Sequence, residues 1–535
     1  MWWLVLFTFK PPWPGRLICV SLLVFSFATL ADDREGISDA AIAELAAHAM
    51  QQFQVPGMAI GIVRGNETVY AKGFGIREVG LPGQVDNNTM FKIASNSKAF
   101  TTAALAILVD AGKIDWNGKV VSYIPEFKMY DPWVSAQFTV TDLLTHRSGL
   151  SKGSGDLMLW PEPNDFTSAD IIQALRYFEP SSNFRTEYAY DNSLYIVAGE
   201  LIPHVTGQSW GGFVQNRIMQ PLGMERCFAA EIPSGEMNNL AVPHAVVDGK
   251  MKVVERGRIP AKPPVSAAAG GIICSLNGML PWLKTQLNRG TSPDGLQLFS
   301  PAQNKAMWRP ETIRSVSERD YKRNKTHFKA YALGWRVADV HGFKEVSHTG
   351  SLAGMRSYVV LIPELDLGVV VLMHGSSSAA RMAVMSTIVR SFMPVEQIDW
   401  VQMLADEIES WKLQHQAAKT ERESADGEAA AFKLVRISDY TGIYRDPWFG
   451  DVSLKVEDGV LIFTAAKSPK LTGPMQQTGE QQFVVRWNDR SVDGDAIVQF
   501  NLDESGSVSS MTMVAESEFA DFSFDFQDLN FSRLK

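Results

Sequence analysis

Strand-forming runs at the two ends of a long helical middle constrain this chain more than anything else in it. Near the start, residues 58–63 and 68–71 are short β-type runs joined by Arg64-Gly65-Asn66-Glu67, the pattern of a hairpin. They follow residues 38–53, where Ile42, Leu45, Ala46, Met50 and Phe53 suit one face of a helix capped by Ser38. Strand character then lapses. It returns at residues 331–337, 343–347, 355–362 and 367–373, the last two joined by a Pro363-Glu364-Leu365-Asp366 turn. This layout predicts one sheet assembled from distant segments, with the intervening helices as an insertion. The expected class is α/β (α+β), with a site where the insertion meets the sheet.

Composition narrows the function. At 535 residues, 45% hydrophobic and 20% charged, the chain has material for several packed domains and no overall signature of disorder. Its net charge is -9, and the first 31 residues hold Lys10 and Arg16 but no acid, so the remainder is more acidic still. An acidic surface argues against nucleic acid as a partner. Arg16, the apolar residues 17–30 and Ala31 before Asp32-Asp33 read as a signal peptide over residues 1–31. An uncleaved membrane anchor is the competing reading; with either, a periplasmic or secreted body is expected. Cys19 follows Ile18 rather than a small residue, which argues against lipoprotein processing. Only Cys227 and Cys274 remain, too few for a disulfide framework or a Cys-rich metal site. Whether they pair stays open.

Ser95-Asn96-Ser97-Lys98 lies where an extended Phe91-Lys92-Ile93-Ala94 approach runs into the apolar residues 99–109. If that run is helical, a Ser and a Lys three apart share a face one turn apart, so the amine reaches the hydroxyl. A helix start also favours the negative charge that develops when an acyl group is attacked. The bland alternative is an N-capping Ser followed by a solvated Lys. The same spacing recurs at Ser532 and Lys535, a chain end with no helix after it, and is read there as chance.

Three further segments supply context. Tyr190-Asp191-Asn192 precedes an apolar helix over residues 194–202; His348-Thr349-Gly350 ends a late strand and leads through Ser351 into the next; and residues 267–275, AAAGGIICS, let backbone pass close to backbone. With these motifs in order the chain resembles the penicillin-recognising serine hydrolases. The nearest branch is the class C β-lactamase-like one that includes D-aminopeptidases, D-peptidases and carboxylesterases. The resemblance spans residues 37–392 and is supported by residues 143–150 (LLTHRSGL), 331–335 (YALGW) and 348–354 (HTGSLAG). It implies a β-lactamase-like domain with an antiparallel sheet and a helical insertion.

Carried over residue by residue, the resemblance makes Ser95 the nucleophile, with Lys98 and Tyr190 sharing the proton work. It gives the oxyanion hole to the backbone NH groups of Ser95 and Ser351, and substrate binding to Asn192, His348, Thr349 and Gly350. No metal or organic cofactor is required. His348 departs from the lactamases, which carry Lys there: an imidazole is mostly neutral above about pH 6.5, so carboxylate recognition by that side chain weakens. The implied activity is hydrolysis of small peptides, amides or esters. A penicillin-binding sensor or slowly deacylating β-lactamase is the alternative, and a lipid or ligand carrier centred on the C-terminal part a third.

Two other features are read as structural. His146 and Arg147 close a helix whose Thr139-x-x-Asp142 start signal is plain. Gly149-Leu150-Ser151-Lys152-Gly153 fits a nucleophile elbow, but follows a helix where that motif must follow a strand. Residues 393–430 read as a helix passing into a polar linker, with Trp400, Met403, Leu404, Ile408 and Trp411 as its apolar stripe. Residues 431–535 read as a small all-β barrel or half-barrel in which Phe522, Phe524 and Phe526 share one face of a final strand. Tyr440-Thr441-Gly442-Ile443-Tyr444 resembles the entry to a lipocalin-like domain, which implies a cover over the cleft or a contact in a homo-oligomer.

Overall fold

The early hairpin and the late strands do meet. The computed structural model describes residues 36–247, 249–425, 435–492 and 494–534, so the expected signal peptide lies outside it. Eight strands form one antiparallel sheet in the order Glu67–Gly75, Gly57–Arg64, Leu367–Met373, Met355–Ile362, Phe343–Leu352, Arg336–Val340, Lys329–Tyr331 and Thr312–Arg314. The distant halves join where Ile60 stands opposite Val371. Both strands there are buried on both faces, which is why they read as continuous apolar runs rather than alternating ones.

One face of this sheet is covered by the Asp39–Gln52 and Ser378–Ser391 helices and by the start of the Trp400–Ala425 helix, through Ala46, Ile388 and Trp400. The helical layer lies on the other face. At its centre runs the Ser97–Asp110 helix, buried from Ser97 to Leu108, so it shows apolar residues all round instead of a stripe. The insertion helices, such as Val140–Leu144 with its Thr139/Asp142 capping box, pack around it. Cys227 and Cys274 are disulfide-bonded across two strands of a small three-stranded sheet.

The C-terminal part is a closed eight-stranded barrel, Gly442–Asp446 through Asn530–Arg533, each strand pairing with the next and the last with the first. It forms one compact unit with the sheet and helices that precede it. Among the described residues no helix is long and apolar enough to cross a membrane.

Three readings need correction. Residues 331–337 are not one strand: the chain turns at Gly334, whose φ is 77° and whose missing side chain leaves room for the Lys98 carbonyl and Thr102 of the central helix. The expected polar linker is helical to Ala425, because its Ala, Lys and Glu are strong helix formers whatever faces them; residues 426–430 lie outside the described chain. Finally, Phe522, Phe524 and Phe526 are not on a strand. The final strand is Asn530–Arg533, and residues 516–529 form a loop ending in a 3-10 turn. Their alternation has another cause: Phe524 and Phe526 are buried, the latter stacked near Trp487, while Phe522 turns out toward Tyr190.

Candidate functional site

The Ser95 turn is held from three sides. Ser95 lies in a 3-10 turn, Ala94–Asn96, between the Met90–Lys92 strand and the central helix. Ala94 adopts φ 50°, a left-handed conformation that is strained for a residue with a Cβ and here re-aims the chain just before the hydroxyl. The Asn96 amide donates to Ser357 Oγ at 2.7 Å, and Ser357 Oγ donates to the Ile93 carbonyl at 2.6 Å, tying the turn to the sheet. Ser97 Oγ donates to the Ala94 carbonyl at 2.7 Å and accepts from Ile272 NH at 3.0 Å.

Lys98, one turn on, is fully buried. Its Nζ lies 3.4 Å from Ser95 Oγ, 2.7 Å from Asn192 Oδ1 and 2.9 Å from the Ala269 carbonyl. Asn192 Oδ1 and the carbonyl are pure acceptors, so a neutral amine spends both hydrogens on them and aims its lone pair at the serine hydroxyl. Burial disfavours the charged form and pulls the ammonium down to about 7, against the opposing pull of Asp156 and Asp191. The small-residue run of 267–275 supplies that carbonyl from the buried Ala267–Gly270 helix.

Tyr190 and Asn192 flank the amine from the segment leading into the Ser193–Thr206 helix. Lys98 Nζ is 4.9 Å from the Tyr190 ring centre. Burial pushes the Tyr190 phenol upward while the neighbouring Ser95 hydroxyl pulls the other way, and burial wins, so the phenol keeps its proton. Asn192 Nδ2 donates to Asp156 Oδ2 at 2.8 Å, which fixes which end of the amide faces Lys98. Beneath Tyr190 the ring of His146 packs at 4.1 Å, and its Nδ1 accepts from Asp191 NH, consistent with the structural reading of His146.

The late-strand motif divides by face. Thr349 and Ser351 line the cleft. Gly350 lies on the other face, where a Cβ would stand 2.3 Å from the Ile93 carbonyl and 2.2 Å from Ser357 Oγ, so glycine is what lets the strand press against the Ser95 turn. His348 is fully buried and does not line the cleft. Its Nδ1 donates to the Thr349 carbonyl at 2.7 Å and its Nε2 accepts from the Tyr331 hydroxyl at 2.9 Å. Burial drives its pKa well below the ordinary range, so it is a neutral support. His348 and Gly350, expected to touch substrate, instead shape the wall behind it.

The cleft itself, about 340 Å³, is walled by Ser95, Tyr188, Tyr190, Asn192, Thr349 and Ser351 on the catalytic side and by residues 521–524 of the barrel loop. Lys152, Arg256, Arg314, Arg336 and Arg356 line it, against a single acid, Asp521, among the described residues. Sequence reasoning missed these cations, which come from scattered segments, and missed Asp156, Phe522 and Ser523. Lys152 belongs to the dismissed elbow motif; its ammonium lies 4.0 Å from the Phe522 ring centre, and Ser151 bonds to Ser154 and Asp528, not to the site.

A family profile described as Beta-lactamase matches residues 42–392. This chain belongs to the beta-lactamase family. Among family relatives, an unguisins hydrolase of Aspergillus campestris is 27% identical over 90% of both chains, and protein flp of Staphylococcus aureus is 26% identical over 62% of each. The solved structure of an octameric penicillin-binding protein homologue from Pyrococcus abyssi matches 93% of this chain and all of its own, at 20% identity and a TM-score of 0.58, a likeness of fold. The barrel matches a second profile over residues 433–533, a domain of unknown function (DUF3471). A hydrolase built on the beta-lactamase fold with an appended barrel is therefore what this chain is.

Proposed function

We propose that this chain is an exported serine hydrolase that forms an acyl-enzyme on Ser95 and hydrolyses amide or ester bonds. One observation carries the reading: a buried Lys98 amine 3.4 Å from Ser95 Oγ, with its other two contacts on acceptors and its pKa drawn to about 7. At neutral pH such an amine takes the hydroxyl proton as Ser95 Oγ bonds to the carbonyl carbon. The oxyanion is received by the backbone NH groups of Ser95 and Ser351, and donors of this kind are worth roughly 3–4 kcal/mol each. The protonated Tyr190 phenol returns a proton to the leaving nitrogen or oxygen and regains one from the Lys98 ammonium beside it, so the proton taken from Ser95 ends on the leaving group. Water then adds to the acyl group and releases the acid.

The five cations around the cleft favour substrates that carry a carboxylate, and the barrel loop over it favours small ones. The relative named as an unguisins hydrolase supports a hydrolytic reading. Export is supported by the charge and hydropathy of residues 1–31 and by the Cys227–Cys274 disulfide, which suits an oxidising compartment.

Mass spectrometry after exposure to a fluorophosphonate tests the nucleophile: the expected adduct maps to Ser95 and is lost in Ser95→Ala. A turnover screen over D-aminoacyl amides, short-chain esters and a chromogenic cephalosporin then identifies the bond cleaved. Wild-type turnover by Ser95→Ala overturns the assignment, and a lasting acyl adduct on Ser95 after exposure to a penicillin, without hydrolysis, points to a sensor.

A further inference from the structure

Among the described residues, Asp156 is the one buried carboxylate joined both to the proposed reaction machinery and to the barrel. It is fully buried in the loop after the Gly149–Gly153 segment, and its Oδ2 takes two hydrogen bonds, from Asn192 Nδ2 at 2.8 Å and from Ser523 Oγ at 2.8 Å. Asn192 in turn meets Lys98 Nζ at 2.7 Å, and Lys98 meets Ser95 Oγ. A four-membered chain thus runs from a barrel hydroxyl to the nucleophile's base. The barrel grips the same loop twice more. Asp525 accepts from Gly155 NH at 2.6 Å and Leu157 NH at 2.9 Å, the backbone on either side of Asp156, and Asp528 accepts from Ser151 and Ser154.

We infer that Asp156 is a positioning residue that holds the Asn192 amide, and through it the Lys98 amine, in the orientation needed to deprotonate Ser95, and that Ser523 of the barrel holds Asp156. The inference rests on the acyl-enzyme reading of Ser95.

The physical reason is the symmetry of an amide. Without an acceptor facing its NH2 end, Asn192 could rotate and offer Lys98 a donor, and two donors repel. Lys98 would then lose an acceptor and swing its lone pair off the hydroxyl. An oxygen fixed at Asp156 removes that alternative. Burial and the nearby Asp191 push the Asp156 carboxyl above the usual range while the hydrogen bonds from Asn192 and Ser523 pull the other way, and it is Oδ2 that accepts both. An Asn there presents the same accepting oxygen in the same volume. The barrel is on this account part of the proton-transfer apparatus as well as a wall of the cleft.

The test is the second-order rate at which a small, uncharged fluorophosphonate labels Ser95 in the full chain, read beside the thermal transition. Asp156→Ala is expected to slow labelling by about 10- to 100-fold, the scale of a misplaced catalytic group. Asp156→Asn should label within about threefold of wild type, because one accepting oxygen suffices. Asp156→Ala combined with Asn192→Ala should be no slower than Asn192→Ala alone, since the first acts through the second. Ser523→Ala, a change of one hydroxyl, should slow labelling by about three- to tenfold with an unchanged thermal transition.

Labelling by Asp156→Ala at the wild-type rate overturns the inference, as does multiplicative loss in the double variant. Equal slowing by Asp156→Asn also overturns it, and keeps the test decisive if Asp156→Ala does not fold. A wild-type rate in Ser523→Ala removes the barrel from the chain. Absence of any Ser95 adduct in the native protein sinks the nucleophile assignment itself, a distinct outcome.

Discussion

The Phe522 ring of the barrel loop stands edge-on to Tyr190, with ring centres 6.0 Å apart and planes at 83°. Residues far apart in the chain thereby share one wall of the cleft. Gly153, with φ 81°, makes room for the contact: a Cβ there would lie 2.6 Å from the Phe522 carbonyl.

Replacing that ring should widen the cleft without touching the base. Phe522→Ala is expected to raise kcat/KM for bulky acyl or leaving groups by about tenfold relative to the shortest esters, the scale of one or two methylene-sized contacts. A turnover series of graded size measures it. An unchanged size profile would mean that the loop moves aside during binding.

Acidity should govern the rate through Lys98. Only the neutral amine can accept the Ser95 proton, and it is half populated at about pH 7. For a neutral ester, kcat/KM should therefore rise with pH, by about tenfold per unit below 7, and level off above it. Asp156 and Asp191 raise this midpoint and Arg336 lowers it. Lys98→Ala and Tyr190→Phe should each lower acylation by about 10²- to 10⁴-fold with folding intact.

Carboxylate preference should reside in Arg336 and Arg314. Arg314 lies over the Tyr188 ring at 4.8 Å, and Arg336 Nε is buried without a hydrogen-bond partner among the described residues. Arg336→Gln is expected to cut kcat/KM for a carboxylate-bearing ester by about 10- to 100-fold and to leave its uncharged analogue nearly unaffected, the scale of a charge-assisted hydrogen bond. Equal losses on both substrates would assign Arg336 to the fold.

Gly350→Ala tests the close approach behind the nucleophile. The added carbon meets backbone at 2.3 Å, so the strand must move from the Ser95 turn. A stability loss of about 1–3 kcal/mol is expected from overpacking, with slower Ser95 labelling at temperatures where the protein is still folded. Denaturant melts and labelling on one sample measure both.

Periodicity and local motifs carried much of this protein. The apolar strands of the sheet, the Thr139/Asp142 capping box, the Ser38 cap and the convergence of Ser95, Lys98, Tyr190 and Asn192 follow from residues whose roles depend on near neighbours or on motif order. Alternation misled where its cause was not a strand: Phe522 leaves the barrel for the cleft while Phe524 and Phe526 stay in it, and no local pattern distinguishes the two destinations. His348 was misplaced for a similar reason, since a strand's two faces are told apart only by what packs on each. The cations of the cleft and the Ser523-Asp156-Asn192 chain are decided only by tertiary structure. A sequence records which groups are available, but a hydrogen bond between segments hundreds of residues apart exists only once packing has brought donor and acceptor within 3 Å or so.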